Sequence, residues 1–136
     1  MKGSQQIERE FYLKVKKRIE LLISGKLYLN GMLPEFSKTP TIENSVIVFK
    51  SSGTYGQFQT GQLYINVYVP NREFKGTYVK DIARITELEN SLMEIATDLT
   101  DNEYRVDLIE TPQTYPLNEI KQHFINVRLK FRRITF

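Results

Sequence analysis

Cysteine is missing from this 136-residue chain and histidine occurs once. Without cysteine there is no disulfide framework, no thiolate metal site and no sulfur nucleophile. The lone imidazole, His123, excludes histidine-rich metal sites and paired proton relays. Any Ser-His-Asp arrangement would have to use it, yet no nucleophile motif lies near it in the sequence, so a structural or exposed role is expected. Long apolar runs are also missing. Residues 19–23 are interrupted by Glu20 and are far too short for a bilayer, and the polar first ten residues lack the apolar core of a secretory signal. No membrane partner is expected.

Other chemistries are missing too. Gly53, Gly56 and Gly61 are not followed by Lys-Ser/Thr, and no strand–glycine–helix order aims a helix N-terminus at a phosphate. The acidic cluster Asp98, Asp101 and Glu103 lacks the spacing and the glycine of a calcium-binding loop, and reads as a solvated helix exit. Asp107 and Glu110 form no acid–base pair. These residues point to no catalytic group, no cofactor and no metal, and the chain is not expected to be an enzyme. With 19 basic against 16 acidic residues, a formal charge of +3, the pull on polyanions is weak. The basic run Lys14, Lys16, Lys17 and Arg18 spreads around the polar arc of a helix, as a solvated face does.

What is present is a patterned α+β chain with 40% hydrophobic residues, long enough for one domain with its own core. The clearest segment is residues 123–136. Ile125, Val127, Leu129 and Phe131 alternate onto one side, with Phe124, Asn126, Arg128, Lys130 and Arg132 on the other, which is the period of a strand packed through one face. Residues 61–69 repeat the pattern: Leu63, Ile65, Val67 and Val69 against Tyr64, Asn66 and Tyr68. Residues 45–50 carry β-branched side chains on both faces and are expected to be buried on both.

Two amphipathic helices are expected. One covers residues 5–24 through Ile7, Phe11, Val15, Ile19, Leu22 and Ile23, with Gly25 as a left-handed C-cap. The other covers residues 80–99 through Ile82, Ile85, Leu88, Leu92, Ile95 and Leu99. Residues 104–109 read as a short strand and 112–122 as a connecting loop. Two further loops are expected, at 26–44 with a short strand at Leu27-Tyr28-Leu29, and at 51–60. The order α-β-β-α-β-β predicts two helices on one face of a mostly antiparallel four-stranded sheet.

The outer sheet face would then gather Tyr64, Tyr68, Phe124, Asn126, Arg128 and Lys130, joined by Ile47 or Phe49. Tyr55 and Phe58 in the glycine-punctuated loop add two aromatic anchors. Aromatics and cations on an open sheet suit stacking of nucleic-acid bases. Tyr, Phe and Arg are equally the residues of protein interfaces, and an apolar contribution favours protein.

Across nearly the whole chain, the pattern resembles the small tail terminator and head-tail joining proteins of tailed bacteriophages and prophages. The resemblance rests on the first helix, the proline-bearing connection, the Val/Ile/Phe strand at 45–50, the polar hairpin 51–61, the Ile-Asn-Val-Tyr-Val strand, the second helix and the closing His-Phe-Ile-Asn-Val-Arg-Leu strand. It implies a non-enzymatic assembly protein, present in a bacterial cytoplasm or in the virion. Such proteins form rings, typically hexameric, that dock a tail tube to a head connector through sheet edges and the hairpin. The long connection at 26–44 departs from that pattern. A nucleic-acid-binding module using the basic, aromatic face is the alternative.

Overall fold

The computed structural model describes residues 2–29, 41–55 and 57–134, the side chains of residues 51, 52, 54 and 55 excepted. The first helix, α1, runs Ser4–Leu22. Its four-residue spacing stacks Ile7, Phe11, Val15 and Ile19 into one fully buried stripe. After the short strand β1 (Leu27–Leu29) come β2 (Asn44–Tyr55) and β3 (Phe58–Pro70), then a small hairpin, β4 (Arg72–Phe74) and β5 (Thr77–Val79). The second helix, α2 (Ile82–Thr97), starts at Asp81, whose carboxylate accepts the Arg84 backbone N–H at 3.2 Å. Three strands follow: β6 (Tyr104–Leu108), β7 (Gln113–Leu117) and β8 (Gln122–Ile134).

The α+β class and the two helices are as expected, but the four-stranded sheet is not. Among the described residues the main sheet has six strands in the order β1-β2-β3-β8-β6, with β7 also on β8. β3 and β8 form its long central antiparallel pair, from Phe58↔Ile134 to Pro70↔Gln122. The other edge of β8 is divided: β7 pairs with Gln122 to Asn126 and β6 with Leu129 to Arg133. Between them the Ile109 N–H donates to the Arg128 carbonyl at 2.9 Å, so the crossing loop keeps the ladder nearly continuous. β1 adds a parallel edge strand on Ser45 to Ile47.

Three segments differ from their expected form. Residues 51–55 and 58–60 are not a loop; they extend the β2–β3 hairpin, because β8 runs on to Ile134 and gives β3 a partner along its length. Residues 113–117, expected as loop, form an edge strand that tolerates Pro116, since a proline at an edge removes no interior ladder bond. The β4–β5 hairpin turns at Lys75 and Gly76, both at positive φ (51° and 82°), as a two-residue hairpin turn requires. Residues 30–40 of the expected long loop lie outside the described residues.

Gly25 does not cap α1 in the left-handed conformation; among the described glycines only Gly76 has positive φ. Its reason is close approach. A Cβ there would stand 2.1 Å from the Glu43 carbonyl oxygen and 2.3 Å from Asn44 Oδ1. The chain passes tightly at this point, where the Lys26 N–H donates to Asn44. Nearby, Arg84 of α2 forks onto Glu43 with Nε and Nη2 at 2.6 and 2.8 Å and also donates to the Leu22 carbonyl at the end of α1. That bidentate bond ties both helices to the start of β2, and it raises the Arg84 pKa.

One core lies between the helices and the sheet. Ile7, Phe11, Val15 and Ile19 of α1 and Ile85, Leu88, Leu92 and Ile95 of α2 pack on Leu63, Ile65 and Val67 of β3 and on Ile125, Val127 and Leu129 of β8. Phe11, Tyr104 and Phe131 form an aromatic cluster with ring centroids 4.8 to 5.7 Å apart, in tilted or edge-on geometry.

Candidate interaction surface

The pleat that buries Leu63, Ile65 and Val67 turns Tyr64, Asn66 and Tyr68 to the sheet face that neither helix covers. Register then sets their neighbours. Tyr64 stands opposite Arg128, Asn66 opposite Asn126 and Tyr68 opposite Phe124. Six of the residues expected on this face, Tyr64, Tyr68, Phe124, Asn126, Arg128 and Lys130, are therefore brought together on two adjacent strands.

They form a connected chain of contacts. The Asn126 amide donates to Asn66 Oδ1 at 2.6 Å, and Arg128 Nε donates to Asn126 Oδ1 at 2.8 Å. The Arg128 guanidinium lies 5.1 Å from the Tyr64 ring centre, and Lys50 Nζ lies 5.8 Å from it. Glu110, in the loop between β6 and β7, reaches Arg128 Nη1 at 3.4 Å. Tyr68 and Phe124 stack at 5.6 Å, and Tyr115 of β7 continues the row at 5.4 Å from Phe124. Burial pushes the Tyr68 phenol above its ordinary value, against the opposing bond to Asn66. Tyr64, Asn66, Tyr68, Phe124 and Arg128 are half-buried and Asn126 is buried, while Tyr115 at the end of the row is exposed. The face is thus held by its own contacts, an arrangement that would lower the entropic cost of any association through it.

Ile47 and Phe49 do not reach this face. They pair with Ile65 and Leu63 and belong to the core side. Val46 and Val48 supply the apolar contribution instead, and Val46 is buried, so this strand is buried on both sides as its composition predicts. Phe58 lies further out on the hairpin beneath Arg132, whose guanidinium is 4.7 Å from its ring. Tyr55 pairs by its backbone with Phe58, and its side chain lies outside the described residues. Tyr115 and Gln113 are additions that the sequence reading missed, since a segment containing Pro116 without clear alternation carries no strand signal.

The other candidates resolve into structure. Lys14 pairs with Asp101, and Arg18 Nη1 with Asp98 at 2.9 Å, so the expected solvated exit of α2 is an ion-paired seam with α1. Glu103 binds Lys2 at 2.6 Å and Arg133 at 2.5 Å, and those two partners hold its carboxyl below the usual range. Among the described residues, no group of three or more His, Asp or Glu is placed to hold a metal ion. His123 Nδ1 meets Asn71 Oδ1 at 2.6 Å; burial, with the charge of Lys80 adding to it, lowers its pKa. No helix among the described residues is long and apolar enough to cross a membrane. Comparison with models of protein families gives no match, and comparison with curated proteins gives none either.

Proposed function

We propose that this chain is a non-enzymatic assembly protein of the kind that joins phage or prophage heads to tails, and that its outer sheet face is the interface. The observation that carries the reading is the row Tyr115–Phe124–Tyr68, set beside the Asn66–Asn126–Arg128–Tyr64 chain. Aromatic and arginine side chains held by their neighbours, around a buried valine, are the anchors that dominate protein–protein association. The partners are further copies of the chain, closing as a ring that is hexameric in the resembled family, and a tail tube or head connector. Its place would be the bacterial cytoplasm during assembly or the finished virion.

Light scattering over a concentration series, with negative-stain imaging of large species, tests the reading. The native chain should gain mass with concentration and yield rings. The pair Arg128→Glu and Tyr68→Ala should stop this while leaving the far-ultraviolet circular dichroism unchanged. Normal assembly by that variant would remove the outer face as the interface. A binding module for nucleic acid is the second reading, favoured by Lys130 and Arg132, which form no ion pair among the described residues. It predicts a monomer whose oligonucleotide affinity falls steeply with salt.

A further inference from the structure

Beyond the aromatic row, towards the hairpin tip, the outer face dips into an open trough of about 580 Å³. Arg105, Lys130, Arg132, Asp107 and Thr60 line it, with Gly61 lining it beside the hairpin. Arg105 and Arg132 are directly opposed across β6 and β8. Like charges in such a pair stand about 5 Å apart at Cβ and repel. Lys130 follows on the same face, about 7 Å further along β8, directly opposite Asp107. Asp107 is the single carboxylate among the lining residues, and its ion pair is with Arg105 through Nε at 3.3 Å. Lys130 and Arg132 have no carboxylate partner among the described residues, and the Arg105 side chain is 66% exposed. Three cations around one carboxylate leave a local charge of +2.

We propose that this trough binds a phosphate group. Its donors come from two strands and so from different directions. A planar carboxylate is saturated by one arginine fork, whereas a tetrahedral phosphate presents oxygens to several donors at once and carries enough charge to offset the excess. The Thr60 hydroxyl adds a neutral donor. Occupancy would relieve the Arg105–Arg132 repulsion, so binding and local stability are linked.

The trough shares Lys130 and the outer face with the proposed interface, but Arg105 and Arg132 lie outside the proposed interface residues, so substituting that pair tests phosphate binding separately from assembly. The test uses the full chain at constant ionic strength, with calorimetric titration of sodium tripolyphosphate and, in parallel, fluorescence anisotropy of a labelled single-stranded oligonucleotide. Saturable tripolyphosphate binding is expected. It should weaken at least tenfold in the Arg105→Gln/Arg132→Gln double variant and stay unchanged in Lys17→Gln, which removes an exposed cation on α1. Without ligand, the double variant should melt at or above the native temperature, which separates lost binding from lost fold. Competition between oligonucleotide and tripolyphosphate would identify a nucleic-acid backbone as the phosphate source. Tripolyphosphate binding without competition would identify a small phosphorylated ligand. Absence of saturable binding to either probe would overturn the proposal. So would an unchanged affinity in the double variant, or polyglutamate binding as tightly as tripolyphosphate.

Discussion

Two sets of cations lie on opposite sides of the sheet, and their surroundings differ. On the helix side, Lys14, Lys16 and Arg18 of α1 pair with Asp101, Glu20 and Asp98, while Lys2 and Arg133 share Glu103. On the outer side, Arg128 and Arg132 lie over aromatic rings, and Lys130 has no ion-pair partner among the described residues. The same residue types thus fasten the helices on one side, while on the other only Arg128 and Arg105 have carboxylate partners, at 3.4 and 3.3 Å, and Lys130 and Arg132 have none among the described residues. The basic run that looks most like a patch in the sequence is largely neutralised, and the scattered cations of one strand remain available. The location of the counter-ions, rather than the density of cations, decides which surface can meet a partner.

Substitutions can break that comparison from either side. The largest effect belongs to the helix side: Phe11→Ala removes the ring between Tyr104 and Phe131 and should cost about 3–5 kcal/mol in chemical denaturation. Gly25→Ala drives a methyl group into the Glu43 carbonyl and should cost about 1–3 kcal/mol by the same measurement. Glu103→Gln strips Lys2 and Arg133 of their shared partner. The carboxylate is partly exposed, so solvent screening holds the loss to about 1 kcal/mol. On the outer side, Arg128→Glu breaks the bond to Asn126 and sets a carboxylate beside Glu110, and should cost about 1 kcal/mol while abolishing concentration-dependent assembly.

Acid sharpens the same contrast. Burial opposes ionisation of Glu10, but bonds from Lys2 and Tyr104 outweigh it and hold its carboxyl below the ordinary value. In Asp101, burial is outweighed by Lys14 and two backbone N–H groups. Glu103 is lowered by Lys2 and Arg133. Carboxyls depressed in the folded state add stability above their unfolded values, near pH 4, and that stability is lost as pH falls through the lower folded values. Thermal midpoints should therefore fall below about pH 4, and Glu103→Gln should flatten the decline. Arg128→Glu, remote from this cluster, should leave its steepness unchanged.

The sheet faces were legible because alternation is a property of sequence alone. Ile125 to Phe131 and Leu63 to Val69 had to share a side wherever their strands paired, and both helices follow from apolar residues at three- and four-residue intervals. Pairing partners were not legible. The chemistry of residues 51–60 reads as loop, and only the length of β8 makes residues 51–55 and 58–60 strand. Whether Ile47 or Val46 faces the helices depends on the β2–β3 register, which no local pattern in a doubly apolar strand can set. The trough was half visible, since Lys130 and Arg132 lie on the outer phase of β8. Arg105 joins them only because β6 pairs with the far end of that strand.

The β3–β8 register also governs how the chain folds. Phe58 and Ile134, paired at one end of the ladder, are 76 residues apart (134 − 58). The helices and the β2–β3 hairpin close locally and early, whereas the central ladder waits for a long loop to close. During synthesis the apolar side of β3 must persist beside α1 without its second neighbour until β8 emerges from the ribosome. Docking of that one strand is therefore expected to limit the folding rate.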